Sequence, residues 1–353
     1  MKKQKIKIGI IGVGNCASSL IQGVEYYKSH KVPEGLITPT IGSYTIGDIE
    51  VVCAFDVDKR KVGKDIAEAI HAKPNCTKQF AHVKKTGVKV CKGKVLDGVS
   101  KSMTDSFVVD SKQKVDDVVR IIKESGAEMV IAYLPVGSRR AARFYAQCAL
   151  DAGVAFINAI PEFICSDEAW IAKFKKRGLI CAGDDIKSQV GATILHRVIT
   201  RLIQDRGHTI VDTYQLNVGG NTDFKNMLDH SRLSSKRISK TRAVVANLDN
   251  GESIQTRIGP SDFIPHLQDN KICYINVRGT QFGGIAFELD LKLSVEDSPN
   301  SAGVMADVIR YVKRGIDAGL SGNLEEVCAY YFKSPKRQIR DDVARELLEK
   351  YHA

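Results

Sequence analysis

The residues best suited to chemistry begin at the first glycines. Gly12-x-Gly14-x-x-Ala17 lies between an apolar run and a helix-period segment. Gly12 allows a tight turn, Gly14 lets backbone approach a pyrophosphate, and Ala17 lets strand and helix pack closely; the helix N-terminus then faces the anion. Asp56 ends the next apolar run, Val51-Val52-Cys53-Ala54-Phe55. A carboxylate there accepts hydrogen bonds from ribose hydroxyls and repels a 2′-phosphate, which favours NAD over NADP. The bland alternative for Asp56 is an ordinary strand-end turn. Its spacing from Gly14 is about twice the usual ~20 residues, so residues 28–48 are expected to form an inserted loop.

A second segment, Gly183-Asp184-Asp185-Ile186-Lys187-Ser188-Gln189-Val190-Gly191-Ala192-Thr193, opens an amphipathic helix. Small residues, hydroxyls and free N–H groups at a helix start make an anion pocket. The paired acids before it suit a ribose, a cation or a lysine, while simple capping of the helix by Asp185 or Ser188 is the plain reading. Lys236 and Lys240 sit at i, i+4 and share a face if helical. Alone, that is a solvated basic face, and Lys271, Asp297 and Lys333 are equally ordinary alone. Brought together, lysines repel one another, and crowding lowers at least one pKa into a range useful near neutral pH.

These groups need elements to hold them. Apolar runs at 7–11, 49–55, 129–134, 154–158 and 179–182 read as strands. Helix-period segments lie between them, at 17–27, 59–72, 115–124, 138–151 and 167–176. That alternation predicts an α/β fold with a parallel sheet covered on both faces, a Rossmann-type doubly wound sheet. Residues 73–112, rich in Lys, Thr, Ser and Gly, read as an irregular surface excursion.

After about residue 190 the pattern changes. The segment 189–205 predicts a helix with Val190, Ile194, Val198 and Leu202 on one face and Gly207 as its C-cap. A strand follows at 209–218. Ile285, Phe287, Leu289, Leu291, Leu293 and Val295 alternate with polar residues, which predicts a strand with one wet face. This second α+β domain, 191–299, carries an open sheet suited to a partner subunit. The helix predicted at 298–319, with Ser298 as N-cap and Pro299 at its first position, returns 300–353 to the first domain, 1–190.

The chain has 353 residues, 43% hydrophobic and 26% charged, a balance that excludes collagen, a disulfide mini-scaffold and a disordered chain. No apolar run approaches 18 residues, so no membrane span is expected. Lysine and arginine exceed acids by 11, but no basic block or nucleic-acid motif appears, and no nucleic-acid partner is expected. Nine cysteines with no Cys-x-x-Cys pair point to reduced thiols and a cytoplasmic setting. Eight histidines without His-x-x-x-His spacing give no support for a histidine-rich zinc site.

Five segments taken together resemble one family. They are Ile-Gly-Val-Gly-Asn-Cys-Ala-Ser-Ser-Leu near the start, the 183–193 segment, Leu-Asn-Val-Gly-Gly-Asn-Thr-Asp at 216–223, Ser-Lys-Arg-Ile-Ser-Lys at 235–240, and Glu-Asp-Ser-Pro-Asn-Ser-Ala-Gly at 296–303. The family is inositol-3-phosphate synthase in its shorter prokaryotic form, and the likeness runs from residue 6 to about 335. The resemblance implies an isomerase that converts glucose 6-phosphate to inositol phosphate with NAD reduced and reoxidised in each turnover. In that scheme carbon 5 is oxidised, carbon 6 is enolised and attacks the carbon 1 aldehyde, and the ketone is then reduced.

By resemblance, Gly12, Gly14, Asn15, Cys16, Asp56 and Asp185 hold or border NAD. Ser188, Gly191, Ala192 and Thr193 meet the substrate phosphate, with Asn217 nearby. Lys236 handles the carbon 5 hydroxyl proton, while Lys240, Lys271 and Lys333 bind phosphate and stabilise oxyanions. Asp185, Asp223 and Asp297 orient lysines, substrate or a cation. The resemblance also implies a homotetramer, and it leaves open whether a divalent metal or a monovalent cation assists. The loop Lys-Ser-Gln-Val-Gly-Ala-Thr departs from the Lys-Ser-Gly-Gln-Thr of the eukaryotic branch, which leaves its exact phosphate donors unassigned. A simple dehydrogenase that releases NADH, and a non-catalytic NAD-binding protein, are the alternatives. The four lysines argue against the latter, since cofactor binding does not call for them.

Overall fold

The computed structural model describes residues 5–30, 33–109, 112, 114–246, 248–249 and 251–352. The side chains of His230, Ser234, Lys236, Arg237, Glu252, Pro260, Ser261, Tyr351 and His352 are outside the described set.

The first half alternates as its apolar runs dictate: β1 (Ile6–Ile11), α1 (Asn15–Ser29), a hairpin of β2 (Thr40–Ile41) and β3 (Tyr44–Thr45), β4 (Ile49–Asp56), α2 (Ile66–Ala69), β5 (Val90–Lys92), α3 (Val118–Ser125), β6 (Met129–Ala132), α4 (Arg139–Ala152), β7 (Ala155–Asn158), α5 (Glu168–Lys176) and β8 (Ile180–Ala182). The second half runs α6 (Ala192–Asp205), β9 (Thr209–Gly219), α7 (Thr222–Asn226), α8 (Ser234–Val245), β10 (Gln255–Phe263), β11 (Asn270–Thr280), β12 (Ala286–Glu296), α9 (Asp297–Asp317), β13 (Gly322–Asn323), α10 (Glu325–Tyr331) and α11 (Asp341–His352).

Seven strands form one parallel sheet in the order β13-β8-β7-β6-β1-β4-β5. Its order reverses at β1, and a crevice opens there at the carboxyl ends of β1 and β6, where such sheets bind ligands. Helix α9 returns from the second half to pack on α1 and β8, and its Val304, Met305, Val308 and Ile309 join the core of this sheet. The second sheet has the order β10-β9-β11-β12, with β9 and β10 parallel and the rest antiparallel.

Four expectations need correction. The 59–72 helix shrinks to the one-turn α2, because Gly63 turns at φ 83° and Asp65 caps the short helix after it by accepting from the Ala67 amide. The 73–112 segment is not a surface excursion: Val90 and Met103 are buried, and β5 completes the sheet. In α6 the apolar stripe points outward, with Val198 and Leu202 about half exposed, as is Val190, which lies before the helix begins. The buried face instead carries His196, Arg197 and Thr200, because the strand beneath presents polar Thr213 and Gln215 to the imidazole. Finally, Ser298 does not cap α9; it sits inside the helix, its hydroxyl donating 2.8 Å to Asp269. Gly207 does follow the end of α6 in the left-handed region, at φ 79°.

Candidate active site

One cavity runs along the crevice. Gly12, Gly14, Asn15, Cys16 and Asp56 line one end, and Ser188, Gly191, Ala192 and Thr193 lie further along. Asp185, Asp223, Lys240, Lys271, Asp297 and Lys333 line it too. Helix α8, which holds Lys236 and Lys240 one turn apart, reaches the cavity through Lys240, whereas the Lys236 side chain lies outside the described residues.

The glycine turn is built for close approach. Gly12 has φ 93°, and a Cβ there would collide with the Tyr133 carbonyl, so only glycine fits. Gly14 has open space where its Cβ would be, and no side chain caps α1. Asp56 braces the turn: its carboxylate accepts from the Val13 amide at 2.8 Å and from the amides of Val57 and Asp58. Behind it, buried Lys61 donates to the Val13 carbonyl at 2.8 Å and lies 3.9 Å from Asp56. The Tyr133 hydroxyl is buried at the cavity with no hydrogen-bond partner among the described residues. An uncapped helix start, an open glycine and an orphaned hydroxyl on one crevice fit a dinucleotide.

The lysines are set by carboxylates. Lys333 donates to Asp185 at 2.9 Å and to the Ile186 carbonyl at 2.7 Å. Asp185 also accepts from the buried Ser239 hydroxyl of α8. Of the paired acids, Asp185 therefore holds a lysine, and α6 begins at Gly191 with no side-chain cap. Lys271 pairs with Asp297 at 3.1 Å, and although burial disfavours its charge, that carboxylate raises its pKa overall. Asn221 caps α7 and so places Asp223 at the cavity.

Asn217 differs from the expectation. Its side chain is buried in β9, donating to the Gly259 carbonyl at 2.9 Å and accepting from Gln215, because it points to the covered face of the sheet.

Two further buried acids brace this framework, Asp269 and Asp184. Asp269 accepts from Asn221, from Ser298 and, at 3.4 Å, from Asn15, so it joins the glycine turn to α7 and α9. Burial, then the Asp297 charge, pushes its pKa up to about 6. The same burial, with Asp269 and Asp297 adding to it, pushes the Cys16 thiol up to about 12, so this thiol is no nucleophile. Asp184 accepts from Asn158 and from the Ile164, Cys165 and Ser166 amides, and burial also pushes it up to about 6. Asp184 was visible as half of an acid pair, whereas Asp269 had only its nearness to Lys271 to mark it.

The strap 94–107 closes the crevice. Val95, Leu96, Val99, Met103 and Phe107 line the cavity. At its tip Asp105 accepts from Lys225 of α7 at 2.7 Å. Among the described residues no group of three or more His, Cys, Asp or Glu side chains is arranged to hold a metal ion, and no helix is long and apolar enough to cross a membrane.

A Rossmann sheet with this crevice, an acid at the end of β4 and lysines converging beside a helix start define an NAD-dependent enzyme acting on an anionic substrate. The family model for myo-inositol-1-phosphate synthase matches residues 191–298. Inositol-3-phosphate synthase of Mycolicibacterium smegmatis is 50% identical over 98% of this chain and 98% of its own, and that of Corynebacterium glutamicum is 49% identical over 99% of each. In fold, the chain is similar to inositol-3-phosphate synthase from Caenorhabditis elegans, with a TM-score of 0.79 at 14% identity, covering 99% of this chain and 86% of that one. It is also similar to a myo-inositol-1-phosphate synthase-related protein from Thermotoga maritima, with a TM-score of 0.84 at 23% identity over 99% and 98% of the two chains. The chain belongs to the inositol-3-phosphate synthase family, whose members cyclise glucose 6-phosphate to inositol 3-phosphate with NAD.

Proposed function

We propose that each step of this cyclisation is assigned to side chains around the cavity that runs from Gly12 to Lys333. NAD, when bound, would supply reversible hydride transfer at carbon 5 of the sugar. Gly12, Gly14, Asn15 and Asp56 would hold it, with Cys16 packing beside the turn. The backbone of 191–193 and the Ser188 and Thr193 hydroxyls would bind the substrate phosphate, and the uncapped start of α6 supports this. Lys236 would move the carbon 5 hydroxyl proton. Lys240, Lys271 and Lys333 would hold negative charge as it develops on oxygen, a role for preorganised cations in a site closed to water. Asp185 and Asp297 would aim Lys333 and Lys271, and Asp223 would orient substrate.

The observation that carries this reading is the convergence of three lysines with the glycine turn on one crevice. Incubation with glucose 6-phosphate and a catalytic amount of NAD should yield inositol phosphate without net NADH. Stoichiometric NADH release would instead identify a dehydrogenase. Lys236→Ala should lower kcat by about 10²–10⁴-fold, the usual worth of an acid–base group, with NAD still bound. Activity within about tenfold of wild type would remove Lys236 from that role.

The assembly belongs to the same proposal. We read a homotetramer joined through the second sheet, with the chain divided into 1–190 plus 300–353 and 191–299. Tyr214, Leu216 and Tyr274 are exposed on the uncovered sheet face, as are Val198 and Leu202 on α6. Apolar exposure of that kind marks interaction surfaces. The free thiols among the described residues support a reducing, cytoplasmic setting.

A further inference from the structure

The cradle read as the phosphate site has two parts that meet at an angle, the loop ending in Ser188 and the first turn of α6. The loop is held beyond Ser188 by Asn300, which pairs with the backbone of Gln189 and Val190. Behind them lies a carboxylate from the far end of the chain. Asp341, the first residue of α11, accepts from Lys187 Nζ at 2.9 Å through one oxygen and from Arg197 Nε at 2.6 Å through the other. Both cations are buried, and neither lines the cavity. Lys187 immediately precedes Ser188, and Arg197 lies one turn beyond Thr193 on α6. Lys187 also donates to the Ala329 carbonyl at 3.0 Å, and Arg197 donates to the Ala243 carbonyl of α8. Burial works against a charged Asp341, yet the two cations hold its carboxyl below the usual carboxylate range. A buried ion cluster of this kind is weak evidence for stability, because well-packed apolar side chains often do as well; what it does supply is a fixed geometry.

We propose that Asp341 is a positioning residue for the substrate phosphate: by gripping Lys187 and Arg197 at once, it sets Ser188 against the amides of Gly191, Ala192 and Thr193. This rests on the reading of 188–193 as the phosphate cradle. The clamp acts from behind the site, through groups that never meet the sugar. Its loss therefore weakens recognition of the phosphate more than the chemistry on the ring.

The test uses the full chain and three variants, with KM for glucose 6-phosphate, competitive inhibition by inorganic phosphate, kcat and NAD affinity all measured. Lys187→Met releases the loop while leaving Asp341 paired with Arg197, and its melting temperature and circular dichroism are measured alongside to check that it folds. It should raise KM and the inhibition constant of phosphate together, about tenfold, with kcat changed less and NAD affinity within about twofold. Asp341→Asn should do the same or more, and if it fails to fold, Lys187→Met decides alone. Thr193→Val tests the cradle itself. If Thr193→Val raises KM and Lys187→Met does not, the clamp is merely structural and the inference falls while the cradle stands. If neither variant moves KM or the phosphate constant, the cradle reading falls and the inference with it. A loss of NAD affinity at unchanged KM would also overturn it.

Discussion

Asp56 braces the turn and, in the proposed reading, also holds the cofactor. Its carboxylate already takes three backbone amides and sits near buried Lys61, so the Asp56→Ala chain loses charge-assisted hydrogen bonds as well as a ribose partner. NAD affinity should fall at least about tenfold by titration calorimetry, and an unchanged affinity would reject the ribose role. His196 offers a second test at this scale. Burial lowers its pKa from 6.5 to about 4, so in the folded chain it stays neutral while the unfolded chain takes up a proton. Folding stability from this group is intact above about pH 6.5 and is lost as the pH falls toward 4, by about 3 kcal/mol for a shift of this size. Asp184 and Asp269, whose pKa values are raised, pull the opposite way over the same range, so the difference between wild type and His196→Gln is the quantity to follow. That difference in denaturant stability should shrink on acidification; a constant gap would mean that His196 titrates normally. Sequence could name the glycines and most of the acids because local spacing identifies them. It could not name Asp269 or Tyr133, whose roles depend on which distant elements crowd around them.

At the scale of elements, the parallel strands were legible because strands buried on both faces are nearly continuous apolar runs. The strap was not, because its polar run of Lys, Ser, Thr and Asp advertises solvent while Met103 and Phe107 turn inward. Helix α6 misled for a related reason: its apolar stripe is real but faces out, since β9 offers polar partners to the other side. The strap is closed at its tip by the exposed Asp105–Lys225 pair, and exposed pairs hold weakly. Lys225→Met should therefore raise hydrogen exchange across 99–107 and speed NAD release, leaving the melting temperature nearly unchanged. Equal exchange rates would mean that the apolar contacts alone keep the strap shut. Gly12→Ala makes a firmer prediction. A side chain at φ 93° that also meets a carbonyl should cost about 1–3 kcal/mol and abolish NAD binding, read by thermal melting and titration.

At the scale of the molecule, the uncovered face of the second sheet and the outer stripe of α6 bear on assembly. Tyr274 lies opposite Leu216 across β11 and β9, both exposed. A charge placed there, as in Leu216→Asp, should shift the protein to smaller species in light scattering; an unchanged mass would move the interface elsewhere. The chain passes from the first sheet to the second through 183–191 and back between Glu296 and Ser298. Ser188 lies on the first passage and Asp297 on the second. Any flexing of one half against the other would therefore have its fulcrum at the cavity, and a cut that separates the two sheets must run through residues that line it.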